Sequence, residues 1–292
     1  MTEADELPTN WGRWGADDER GTLNLITDDV RARAVAEARS GRTVSLSRPM
    51  PTTPLVAGPA AASGAASTAV LQAGLYTGAS PFAMAELVVL MTHSPDVTHF
   101  DALAHQVIDG QVYPGKPLDE AGGPAGFRHG STAIFAQGVV TRGLLLDLAP
   151  GAALPAGHGV TGADLDSACD RAGVEVRSGD AIVVRGGWDY AASRDRHLPG
   201  MTLDAVSWMH RHDVAVYAGD IGDAHPPVDP RAPGALHRVG LARLGMPLVD
   251  VADPEELATA CDEEGRYSFL FVAAPPRLGA ASGVPVNPLA IF

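Results

Sequence analysis

Thr98-His99-Phe100-Asp101-Ala102-Leu103-Ala104-His105, which follows the apolar run Leu87 to Met91, is the stretch on which the reading of this chain turns. Two imidazoles and a carboxylate fall within seven residues, where an apolar strand runs into a turn. In extended backbone His99 and Asp101 share a face, because side chains alternate with a period of two. His105 stands four residues beyond Asp101, so one helical turn returns it to the carboxylate. Neutral imidazole and ionised carboxylate suit a divalent cation such as Zn2+ or Mn2+, and a further titratable group beside them can move protons. Spacing alone is equally compatible with a turn that carries surface histidines.

The chain has 292 residues, 46% of them hydrophobic, enough to bury a large core. With a net charge of −14 and no cluster of Lys or Arg, binding to nucleic acid or to an anionic membrane surface is not expected. No run of eighteen apolar residues occurs, and the acidic start (Met1-Thr2-Glu3-Ala4-Asp5-Glu6) is unlike a signal peptide. Cys169 and Cys261 lack CxxC spacing and sit in amphipathic helical patterns, so buried thiols in a reducing cytoplasm are expected. Lys116 is the one lysine, which excludes most Schiff-base and phosphate-lysine chemistry unless it carries that chemistry itself.

Helical patterns run over Thr27–Arg39, Thr161–Ala172, Asp204–His212 and His237–Leu244, and another opens at Asp253-Pro254-Glu255-Glu256 with proline in its first turn. Extended patterns cover Arg42–Pro49, Glu86–His93, Gly143–Leu148, Ala181–Arg185, Val214–Tyr217 and Met246–Val251, with Tyr267–Ala274 as the last. The Gly/Ala/Ser-rich tract Ala57–Ala69 has little to pack and is expected to be a loop or lid. No internal repeat is present. Strands and helices alternate, but several strands follow one another directly, which favours a compact α/β or α+β domain.

No GxGxxG opens a helix after a strand, and no GxSxG elbow occurs, so neither dinucleotide binding nor that type of serine hydrolase is supported. Asp220-Ile221-Gly222-Asp223-Ala224-His225 has ligand-type residues, yet its Gly and Pro neighbours favour a structured turn. His210 and His212 are expected to be solvated, and His129 and His158 have no obvious partner in the sequence. Trp11, Trp14, Phe100 and Tyr113 are candidates to wall an aromatic substrate, although such residues more often belong to a core or an interface.

Further segments carry a resemblance. They are Asn10-Trp11-Gly12-Arg13-Trp14-Gly15, Gly21 to Thr27, the stretch Thr98 to His105 continued by Asp109-Gly110, Tyr113 and Gly115, then Arg142 to Asp147, Gly179-Asp180-Ala181, Arg185 to Trp188, and Gly283 to Ala290. In this order, over nearly the whole length, the chain resembles the putative cyclase family, metal-dependent hydrolases that include bacterial kynurenine formamidase and isatin hydrolase. The resemblance implies a single swivelling β/β/α-type domain over 1–292, with a central mixed barrel-like sheet. It also implies a homodimer or higher homo-oligomer in which residues 1–26 form an arm packed on a neighbouring subunit.

The family's core motif, His-x-Gly-Thr-His-x-Asp-x-Pro-x-His, falls on residues 95–105 of this chain. The resemblance implies metal ligands at His99 and Asp101, an acid/base at His105, and further ligands at His237 and Asp250. Two departures stand out. Pro95 occupies the first ligand position and offers no side-chain donor, so His93 is the candidate substitute. Asp250 stands where the family has glutamate and reaches one methylene less far. Partial metal occupancy is therefore expected. The implied activity is metal-assisted hydrolysis of an amide, imide, lactam or lactone in a small cyclic or aromatic metabolite. The alternatives are a non-hydrolytic cyclase or dehydratase in a biosynthetic pathway, and a catalytically silent metabolite binder.

Overall fold

A computed structural model describes residues 7–50, 53–54, 70–76, 84–189 and 197–292. The tract 57–69, expected to be a loop or lid, lies outside the described residues. The fold is mixed α/β around one curled nine-stranded sheet, a half-barrel. In chain order its strands are β1 (Thr43–Ser45), β2 (His99–Asp101), β3 (Val139–Asp147), β4 (Ala181–Arg185), β5 (Val216–Gly219), β6 (Leu248–Asp250), β7 (Ser268–Ala273), β8 (Gly283–Pro285) and β9 (Leu289–Ile291). They lie side by side as β1-β9-β7-β3-β4-β5-β6-β2-β8. The central four, β3 to β6, are parallel, and every other pairing in the sheet is antiparallel.

Parallel neighbours need crossovers. Helix α2 (Gly162–Ala172) links β3 to β4, and α3 (Leu203–Arg211) links β4 to β5, while α1 (Asp28–Val35) precedes β1 and α4 (Glu255–Glu264) follows β6. The crossover from β5 to β6 carries a π-helix, Ala235–Leu241. Thr27, Thr161 and Thr202 cap α1, α2 and α3, and Gly173 ends α2 in the left-handed conformation. Helix α1 stops at Val35, short of the expected Arg39. Two further strands, β8 and β9, follow the one expected to be last.

Alternation along the strands sorts the core into two layers. Leu146, Ile182, Val184, Tyr217 and Leu248 meet Leu165, Val206, Trp208 and Leu236 on one face. Leu145, Val183, Val216 and Val249 join Phe100, Leu257, Phe269, Phe271 and Phe292 on the other. Strand β4 is buried at every position, as expected of a central parallel strand covered on both sides.

The apolar run before the site ends at Leu90 and belongs to a separate ribbon, Met84–Leu90 paired antiparallel with Val70–Tyr76. Leu87, Val88 and Val89 on it, and Met91 just beyond its end, are exposed. The turn expected inside the motif comes earlier, across residues 92–97, so His99 starts a new strand. From residue 7 the N-terminal segment packs on its own chain. Asn10 donates to the Leu244 carbonyl at 2.9 Å, and Trp11 Nε1 to the Ala242 carbonyl at 2.8 Å. The Thr22 amide donates to the Gly245 carbonyl at 2.8 Å, and a Cβ on Gly21 (φ +54°) would collide with that carbonyl. The segment thus braces the chain between the π-helix and β6. No helix among the described residues is long and apolar enough to cross a membrane, and both cysteines are buried and unpaired with each other.

Candidate metal centre

Strand β2 is only three residues long, and its alternation decides what faces the cleft. His99 and Asp101 turn to one side, while Phe100 between them enters the core and stacks on Phe135 at 4.3 Å. Asp250 on β6 lies directly opposite His99 in the antiparallel register. A single 3-10 turn, Leu103–His105, brings His105 Nε2 to 3.9 Å from Asp101 Oδ2. His93 enters from the turn before β2, with Nδ1 at 2.9 Å from Asp101 Oδ1 and its ring stacked on His105 at 3.9 Å between centroids. His237, on the π-helix, places Nε2 at 3.4 Å from Asp101 Oδ2 and 3.7 Å from Asp250 Oδ2.

Three of these imidazoles are held from behind. His99 Nδ1 lies 2.7 Å from the Val97 carbonyl, which can only accept, so that nitrogen keeps the proton and Nε2 faces Asp101 at 3.4 Å. His93 Nε2 meets Ser282 Oγ at 3.1 Å, which leaves Nδ1 for Asp101. His237 Nδ1 meets Asp223 Oδ2 at 2.6 Å. An outer partner on one nitrogen and a shared centre for the other is how proteins orient metal-binding histidines.

Asp101 is fully buried, and among the described residues neither of its oxygens accepts a hydrogen bond of normal geometry despite the four imidazoles around it. Buried polar atoms without partners are costly, and a cation satisfies both at once. The donor set passes the same test. His93, Asp101 and His105 form one trio of ligand atoms within 4.8 Å of one another, and His99, Asp101 and Asp250 form a second. Imidazole nitrogen with carboxylate oxygen fits a divalent transition-type cation.

Burial would push the Asp101 carboxyl up, but His237, His93 and His99 outweigh it and hold the group well below the usual carboxylate range. Burial pushes His105 down to about 4, helped by repulsion from His93, His237 and His99 and opposed by Asp101. Burial also disfavours charge on His237, yet Asp101, Asp223 and Asp250 carry its pKa well above the ordinary value. His99 is raised for a similar reason: Asp101 overcomes the cost of burial.

The cleft over these groups holds about 560 Å³. Beside the donors and the polar Ser94, Asp223 and His225, its walls are small or aliphatic: Pro95, Leu198, Ala224, Pro227, Pro233 and Val251. The structure therefore brings together His93, His99, Asp101, His105, His237 and Asp250, with Pro95 serving as wall. It does not bring the four aromatic candidates there. Phe100 and Tyr113 are fully buried, and the Tyr113 hydroxyl donates to Asp18 at 3.0 Å. Trp11 is pinned to the Ala242 carbonyl with Arg243 over its ring, and Trp14 lies under Arg13. His210 and His212, expected to be solvated, are half-buried beside Asn10 and Trp208. Asp223 and Ser282 were not singled out as site residues in the sequence. The Asp220–His225 run carried the signal for Asp223, since ligand-type residues there follow a strand.

Residues 43–224 match the family model described as "Putative cyclase". A crystal structure described as a novel cyclase superposes with a TM-score of 0.82 at 27% identity, over 98% of this chain and 100% of that one. Isatin hydrolase A from Labrenzia aggregata, bound to benzyl benzoate, gives 0.59 at 18% identity, over 92% and 98%. A predicted metal-dependent hydrolase from Bacillus stearothermophilus gives 0.51 at 12%, over 86% and 98%. No curated protein sequence matches the chain.

Proposed function

The chain belongs to the putative cyclase family, and from that premise we propose that it is a metal-dependent hydrolase of an amide, imide, lactam or lactone bond in a small cyclic or aromatic metabolite. The observation that carries the reading is the convergence of five donor side chains on Asp101, a buried carboxylate whose two oxygens are otherwise unpaired. The proline-lined cleft supports a flat, apolar ring as the substrate body. His93, His99, Asp101, His237 and Asp250 would hold Zn2+ or Mn2+, which supplies Lewis acidity to a carbonyl group and to water.

His105 is the acid/base. With its pKa pushed down to about 4 it is neutral near pH 7 and has a free ring nitrogen. It is then a weak base, and the acidity that a bound cation would lend to water is what would let a proton pass to it. It takes that proton from the attacking water as the new C–O bond forms, and returns it to the nitrogen or oxygen that leaves. Its ring stays in place by stacking on His93.

Metal analysis and turnover of two variants test the assignment. Asp101→Ala should be purified with far less divalent metal than the native chain. His105→Ala should keep the metal and lose about 100-fold or more in turnover. Substrates are found by screening aromatic formamides, cyclic imides and lactones, with products weighed for the gain of one water. Equal metal in Asp101→Ala, or undiminished turnover in His105→Ala, rejects the assignment.

A further inference from the structure

Asp223 stands outside the donor set yet touches it at His237, and it holds the neighbouring backbone as well. It ends a short strand, Gly222–Asp223, on the crossover that carries the π-helix. Its Oδ1 accepts from the Leu236 amide at 2.6 Å, and its Oδ2 lies 2.6 Å from His237 Nδ1. Gly234, the residue before the π-helix, has no side chain with which to cap it, so Asp223 supplies that cap from across the crossover. One carboxylate therefore fixes both the start of the helix and the ring of its functional histidine.

We infer that Asp223 is the positioning residue that selects the tautomer of His237, keeping the proton on Nδ1 so that the Nε2 lone pair faces the cation site; this rests on the metal reading above. A carboxylate can only accept, so a neutral His237 bonded to it donates from Nδ1. Its Nε2 is then an unprotonated donor aimed between Asp101 and Asp250, at 3.4 and 3.7 Å. The bond also sets the ring plane, because the backbone that carries His237 hangs on the other oxygen of the same group.

An isosteric variant separates this role from simple helix capping. In Asp223→Asn the Leu236 amide is a fixed donor and claims the one carbonyl oxygen. The amide NH2 is left facing His237 Nδ1, which must now accept. The proton moves to Nε2, where it points at Asp101 and Asp250 and blocks the lone pair. The cap, the volume and the fold survive.

The experiment measures Zn2+ affinity by competition with a chromophoric chelator for the native chain, Asp223→Asn and His237→Ala, beside thermal melts in chelator and 15N spectra of the zinc-saturated native imidazoles. The expected result is a 10- to 100-fold loss of affinity in Asp223→Asn, close to that of His237→Ala, a melting temperature in chelator near the native one, and a proton on Nδ1 of native His237. Native zinc affinity in Asp223→Asn, or a proton on Nε2 of native His237, overturns this inference alone. Failure of the native chain to bind zinc overturns it together with the metal reading.

Discussion

A Cβ at position 283 would collide with Cε1 of His93 and lie 2.8 Å from its Nε2 and 2.9 Å from the Phe100 carbonyl oxygen. Gly283 pairs with Asp101 in the sheet, so the space it leaves open is the space through which His93 reaches that carboxylate. On the reading proposed above, His93 would supply from two residues earlier the donor that Pro95 lacks, and a glycine on the neighbouring strand leaves room for its ring. The Phe100 carbonyl belongs to a sheet backbone and cannot retreat, so in Gly283→Ala the imidazole must move. Zinc affinity should fall by about tenfold or more, and overpacking should cost about 1–3 kcal/mol of stability. Chelator competition and a denaturant melt read the two effects separately. A variant that melts earlier but binds zinc like the native chain would remove His93 from the ligand set.

Local signals in the sequence mark the elements that depend on local chemistry. The strand Ala181–Arg185 is found where its apolar run predicts it, and helix α2 lies between a threonine cap and a left-handed glycine, as its sequence announces. Two features were hidden because they depend on contacts between distant segments. The π-helix reads as an ordinary helical pattern, and its link to Asp223 spans fourteen residues of crossover. The break between Leu90 and His99 is set by how the ribbon leaves the sheet, not by any single residue in it. Phe100 was readable in principle, since the alternation that turns His99 and Asp101 to the cleft must turn Phe100 away. The caps offer a control for experiments on the site. Thr161 accepts from the Asp164 amide, and Asp164 in turn accepts from the Thr161 amide. Thr161→Ala should lose about 1 kcal/mol and lower the melting temperature by roughly 2 °C in a domain of this size. Zinc affinity should stay unchanged, because α2 supplies no residue to the cleft. A loss of affinity in this variant would mean that stability and binding are coupled across the sheet.

Taken as one titrating body, the chain has opposite demands on its central cluster with and without a cation. In the cation-free fold the pKa of His237 is raised, so its contribution to stability is complete below about pH 6.5 and is lost as pH rises toward the folded value. His105 works the other way: depressed to about 4, it costs stability as pH falls from about 6.5 toward that value. Asp101, held low, adds a loss only below about pH 4. Above pH 6.5 the contributions of His237 and His99, both raised, are therefore the parts of this cluster that change, and their loss weakens the cation-free protein. A divalent cation needs those same protons gone, so its affinity rises over the same range. If one proton leaves on binding, affinity gains about tenfold per pH unit, equivalent to about 1.4 kcal/mol, and bound cation stabilises the fold by mass action. The gap in melting temperature between zinc-saturated and chelator-treated protein should thus widen by several degrees between pH 6.5 and 8.5. The widening should shrink in His237→Ala, which leaves only the raised His99 to release a proton there. A gap that stays constant or narrows in the native chain would show that His237 does not exchange its proton for the cation, and would leave the remaining donors to hold it.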